Sequence, residues 1–109
     1  MREIDIDQTA RAVEDGAALI DVRETSEYAD GHVPGAVSIP MGLLMSRLDD
    51  LDRGAPVHLI CASGNRSRAM ADALVAQGFD AVNVVGGTTA WIRSGRPVVT
   101  GEARQEVAR

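Results

Sequence analysis

The sequence predicts an open α/β fold, with helices on both faces of a mostly parallel sheet. Two observations carry this. Strand-like and helix-like segments alternate through the 109 residues. The strand-like runs are short and apolar, as parallel strands buried on both faces are. Such sheets bind ligands beyond the carboxyl ends of their strands, so those ends are where function is sought.

In chain order, Ile4 and Ile6 alternate with acidic residues, which reads as a short edge strand. Asp7 is a good N-cap for a helix over 8–14, stopped by Gly16. Ala17-Ala18-Leu19-Ile20 is a buried parallel strand ending in Asp21-Val22-Arg23. Thr25 or Ser26 caps a short helix reaching Ala29, with Asp30-Gly31 as its exit, and His32-Val33-Pro34-Gly35 is turn chemistry. A short strand at 36–39 is ended by Pro40. Leu43, Leu44 and Leu48 recur at helical spacing, predicting an amphipathic helix over 41–51. After the loop Arg53-Gly54-Ala55-Pro56 comes the central strand, Val57-His58-Leu59-Ile60. A polar loop, Cys61-Ala62-Ser63-Gly64-Asn65-Arg66-Ser67, leads into a helix over 68–77 that Gly78 ends. The last strand centres on Val82-Asn83-Val84-Val85, Gly86-Gly87 is a tight turn, and Thr88 caps a helix through Trp91 and Ile92. Val98-Val99 packs back on the domain, which spans 1–100, and the polar stretch 101–109 frays.

Composition narrows the function classes. The net charge is −5, and every basic residue other than histidine is arginine. An acidic chain without basic runs is a poor binder of nucleic acid or anionic membranes. Without lysine there is no Schiff-base chemistry. One cysteine excludes an internal disulfide and a Cys-rich metal site. The charged N-terminus is no signal peptide, and no run is long enough to span a bilayer. A soluble cytoplasmic protein is the expectation.

The cysteine is the centre of interest, because Cys61 sits where a strand ends and a helix is about to begin. Backbone N–H groups of such a loop point inward, and the helix start adds more, together with the positive end of its dipole. That arrangement, with Arg66 or Arg68 nearby, lowers a thiol pKa and makes a nucleophile in an anion site. The alternative is a buried structural cysteine. Gly64 and Asn65 best tolerate the positive φ that a tightly curled loop needs. Arg66 either faces the loop mouth and attracts an anion or pairs with an acidic residue elsewhere. Asp21 and Arg23 brace the loop, and Glu27 pairs with Arg23 if its helix starts early. His58 lies three residues before the cysteine, about 10 Å away at about 3.3 Å per residue and on the other face, so it is not the base. His32, in a turn, remains open. Asp49, Asp50 and Asp52 lack calcium-loop spacing and read as a solvated helix end. Gly86-Gly87 is too short for a dinucleotide fingerprint and lets backbone pass close beneath the cysteine loop.

Three blocks resemble the rhodanese family. They are Leu19-Ile20-Asp21-Val22-Arg23 with Glu27-Tyr28 and Gly31-His32-Val33-Pro34-Gly35-Ala36, the loop from Cys61 to Ser67, and Val84-Val85-Gly86-Gly87 followed by Trp91. The likeness runs in order from about Ile4 to Val99. It implies a three-layer domain with a five-stranded, mostly parallel sheet. It also implies a sulfurtransferase in which Cys61 takes a sulfane sulfur from thiosulfate or another persulfide-type donor. The sulfur is held as a persulfide, stabilised by N–H groups of Ala62, Ser63, Gly64, Asn65, Arg66 and Ser67, and passed to a thiol, cyanide or a protein acceptor. This chemistry needs no cofactor and no metal. Ala62-Ser63 stand where basic residues follow the cysteine in the vertebrate-type loop, which leaves the donor open. Two competing readings remain: a rhodanese-like binding module with little catalysis, and a cysteine phosphatase, whose loop is one residue longer than the four residues between Cys61 and Arg66 here.

Overall fold

The computed structural model describes residues 1–102. Its middle strand is β4 (Val57–Ile60), buried at every position. Around it stand β1 (Arg2–Ile4), β2 (Ala18–Asp21), β3 (Val37–Ser38) and β5 (Ala81–Val84), in the spatial order β1-β5-β4-β2-β3. All four pairings are parallel, which establishes the α/β class and the five-stranded sheet. The continuous apolar runs are explained by alternation. Ile20 and Leu59 point into one core, while Leu19 and Ile60 point into the other.

The first core is covered by α3 (Met41–Leu44) and α4 (Asn65–Ala76), through Leu44, Ala71 and Leu74. The second is covered by α1 (Ile6–Glu14), α2 (Thr25–Asp30) and α5 (Gly87–Arg93), through Ala10, Val13, Tyr28 and Trp91. The chain leaves β2 toward one edge of the sheet and leaves β4 toward the other. The carboxyl ends of β2 and β4 therefore flank the crevice where the connections diverge.

Several boundaries differ from expectation for local reasons. The cap of α1 is Asp5, not Asp7. Asp5 accepts from the Gln8 N–H at 2.8 Å, and the Gln8 side chain accepts from the Asp5 N–H at 2.9 Å. This reciprocal box satisfies two orphan donors, and Asp7 falls in the first turn. Glu24, not Thr25 or Ser26, caps α2, again with a reciprocal partner, Glu27. The helix expected over 41–51 breaks after Leu44 and resumes as one 3₁₀ turn, Leu48–Asp50. Leu43, counted as inward by periodicity, is 52% exposed while Leu44 is fully buried. The Ser46 hydroxyl takes the Leu43 carbonyl at 2.7 Å, which competes with helix continuation.

At the other end, α4 starts at Asn65, earlier than expected, because Gly64 at φ 104° makes the turn into it. Gly86, not Thr88, precedes α5 as its cap. Val99 exchanges two 2.9 Å hydrogen bonds with His32 in an antiparallel bridge, so Val98-Val99 does pack back. Residues 103–109 of the expected frayed tail lie outside the described residues.

Candidate active site

Cys61 follows β4 directly, and its side chain is 1% exposed. Its Sγ accepts the Gly64 N–H at 3.1 Å and lies 3.3 Å from the Ser67 hydroxyl. Burial alone pushes the thiol up. The Ser67 hydroxyl and the N–H groups of Ser67, Gly64 and Ser63 outweigh that and hold it below its ordinary value. Of the expected amides, that of Gly64 donates to the sulfur, and those of Ser63 and Ser67 favour its charged form. Ala62 contributes its carbonyl instead, which accepts from Thr89 at 3.0 Å. Asn65 and Arg66 are the first residues of α4. Only Gly64 of the Gly64-Asn65 pair uses positive φ.

The loop is held from below by the start of α5. The Thr88 N–H donates to the Cys61 carbonyl at 2.8 Å. A Cβ at Gly87 would lie 2.5 Å from that carbonyl oxygen and 2.6 Å from that of Ala62. Only a glycine lets the two backbones approach this closely.

Arg66 pairs with an acidic residue of another element. Both ends of its guanidinium donate to Glu27, Nη1 to Oε1 at 2.8 Å and Nη2 to Oε2 at 2.9 Å. The pair ties the loop's last basic residue to α2, and Arg68 sits outside with Glu3 at 3.6 Å. Glu27 therefore pairs with Arg66 rather than Arg23. Arg23 is instead locked to Asp21, its Nη2 donating to Oδ2 at 2.7 Å and its Nε to Oδ1 at 3.0 Å. The same Nη2 donates to the Gly31 carbonyl at 2.9 Å. Asp21 is fully buried and Arg23 nearly so. They brace the segment that presents α2 and hence Glu27.

Glu27 is held at about 2, against 4.5, chiefly by the hydrogen bond from Arg66. Its folded pKa is depressed, so its contribution to stability is present above 4.5 and is lost as the pH falls through about 2. Both side chains are about a third exposed, which limits the contribution to at most about 1 kcal/mol. Glu27→Gln is expected to lower Tm slightly at pH 7 and to flatten its fall over the acid window, read from melts across pH 2–5.

Neither histidine is placed as a base. His58 is held low mainly by burial, with its Nδ1 at 3.3 Å from the Ala18 carbonyl. His32 stacks on Tyr28, with ring centroids 3.6 Å apart and its Nδ1 2.8 Å from the Tyr28 carbonyl. Asp50 pairs with Arg47, and Asp52 accepts the Gly54 N–H, as surface carboxylates do.

Sequence reasoning passed over Asn83. The Ser67 Oγ lies 2.6 Å from its Oδ1, and its Nδ2 donates to Glu3 and to the Gly64 carbonyl. Its signal was an amide inside an otherwise apolar strand. A buried polar group of that kind requires partners.

The arrangement is a free thiol at the end of a central parallel strand, held below its ordinary value by loop amides and the Ser67 hydroxyl. Proteins of known kind share the arrangement's frame. A sulfurtransferase of Allochromatium vinosum is 34% identical over 105 residues, covering 94% of this chain and 98% of its own. The crystal structure of a rhodanese-related protein from Thermoplasma volcanium superposes with a TM-score of 0.84 at 33% identity, covering 91% of this chain and 98% of its own. A rhodanese-like domain protein from Staphylococcus aureus gives 0.78 at 34%, covering 84% and 91%. The family model described as the rhodanese-like domain matches residues 5–94, which hold four of the five strands and the whole cysteine loop, and the chain belongs to that family.

Proposed function

We propose that the chain is a sulfurtransferase that works by double displacement through a Cys61 persulfide. The observation that carries this is the sulfur itself: buried, lowered, and held by the Gly64 N–H and the Ser67 hydroxyl. In the first step the Cys61 thiolate attacks the outer, sulfane sulfur of thiosulfate. A new S–S bond forms, the donor's S–S bond breaks, and sulfite leaves with the electron pair. The negative charge now sits on the outer sulfur of Cys61–S–S⁻, where the inward amides stabilise it. In the second step an acceptor thiolate, or cyanide, attacks that outer sulfur, and Cys61 leaves as thiolate.

Cys61 is the only cysteine of the chain. Discharge therefore requires an external acceptor, whether a small thiol, cyanide or a protein. A persulfide donor other than thiosulfate enters the same way. The Allochromatium relative's name supports the transferase reading over that of a docking module. The four-residue gap between Cys61 and Arg66 supports sulfur over the larger phosphate group. The unit so proposed is residues 1–100, with no cofactor, in the cytoplasm, where a lone thiol stays reduced. Among the described residues no helix is long and apolar enough to cross a membrane.

Intact mass spectrometry after incubation with thiosulfate is expected to show one added sulfur atom, removed by cyanide with formation of thiocyanate. Steady-state rates with varied donor and acceptor should give the parallel lines of a ping-pong scheme. An unchanged mass with both thiosulfate and a small persulfide, or efficient hydrolysis of an aryl phosphate, would overturn the reading.

A further inference from the structure

Asn83 lies within β5, 2% exposed, between the fully buried Val82 and Val84. Its Nδ2 donates to Glu3 Oε2 at 2.9 Å and to the Gly64 carbonyl at 3.3 Å. A carboxylate and a carbonyl can only accept, so the amide has one orientation, with Oδ1 turned to Ser67. Ser67 is fully buried, and its Oγ is 2.6 Å from that Oδ1 and 3.3 Å from Cys61 Sγ. A serine hydroxyl has one proton, and neither an amide oxygen nor a thiolate has one to give in return. The two acceptors compete for it.

We infer that Asn83 is a positioning residue, the alternative acceptor that lets the Ser67 hydroxyl turn between Cys61 Sγ and Asn83 Oδ1 as the charge on Sγ comes and goes. Its use rests on the sulfur-transfer reading. When Sγ is a thiolate, the hydroxyl donates to it. When Sγ is the inner sulfur of a persulfide, the charge is on the outer atom and Sγ is a weak neutral acceptor. The hydroxyl then returns to Asn83. Only the O–H rotates, and no proton leaves oxygen. By offering the second acceptor, Asn83 keeps the thiolate from being stabilised at the persulfide's expense. The other charged groups around the loop are paired: Arg66 with Glu27, Arg23 with Asp21, and Glu3 with Arg68 behind Asn83.

The test is the pH profile of Cys61 alkylation by iodoacetamide in the reduced chain. Asn83→Val removes the competitor, so its inflection is expected about one pH unit below that of the parent chain, the scale of one hydrogen bond to a charged group. Ser67→Ala removes the donor and should move it up by a similar amount. The double variant should match Ser67→Ala alone, because Asn83 acts through Ser67. An unchanged or raised inflection in Asn83→Val, or an equal drop in the Ser67→Ala background, would overturn the inference. Should Asn83→Val not fold, the parent chain answers. The Asn83 side-chain amide resonances are expected to titrate with the Cys61 inflection and to lose that titration in Ser67→Ala; resonances that do not follow Cys61 would overturn it. Alkylation uses no sulfur donor, so failure of this switch and failure of the sulfur-transfer reading are separately visible.

Discussion

Cys61→Ser is expected to reduce sulfur transfer to the uncatalysed background and to leave a folded protein. A serine oxygen forms no bond to sulfane sulfur under these conditions, and its hydroxyl is not ionised by a few amide donors as a thiol is. The intact mass should stay unchanged after thiosulfate. The fold should tolerate the change, because an oxygen at this position still accepts from the Gly64 N–H and still meets the Ser67 hydroxyl. The hydrogen-bonding balance is then altered by about 1 kcal/mol. A melt within a few degrees of the parent, with no persulfide and no thiocyanate, is the expected result. Undiminished transfer would place the chemistry elsewhere, and a parent chain that transfers no sulfur either would favour a docking module.

Asp21→Ala is expected to have the largest effect on stability. Asp21 is fully buried, and its carboxylate is the main partner of a guanidinium that is itself 7% exposed. Its removal leaves Arg23 charged and buried, with the Gly31 carbonyl as its one remaining hydrogen-bond acceptor among the described residues. Breaking a buried pair in this one-sided way costs about 3–5 kcal/mol. For a domain of this size that lowers Tm by more than about 10 °C. The pair Asp21→Leu/Arg23→Met should recover most of that loss, because removing both charges leaves neither unpaired. A single variant that melts with the parent, or a double variant no better than the single, would show that the pair is not what holds this segment. Transfer activity of Asp21→Ala below its melt should fall less than that of Cys61→Ser, since Asp21 makes no hydrogen bond to the sulfur.

The fold class was legible because parallel strands buried on both faces write themselves as short apolar runs, and the turns between them need glycine and proline. Val57-His58-Leu59-Ile60 is the clearest case. Over 41–51 the helical spacing misleads, because periodicity records which positions are apolar, not which are covered. Leu43 is apolar and faces solvent, and no rule of spacing distinguishes it from Leu44.

By itself the sequence determined that one thiol stands at the end of a central strand, that a glycine-containing loop follows it, and that a second glycine pair returns beneath it. These are consequences of residue type and local conformation. Only the tertiary structure decided the long-range pairings. Arg66 meets Glu27 from 39 residues away, and Ser67 meets Asn83 across the junction of α4 and β5. A charged or polar side chain has many partners available to it in the sequence. Which one it takes depends on the sheet order that brings β1, β5 and β4 side by side, and on burial that leaves an amide or a carboxylate no water to turn to.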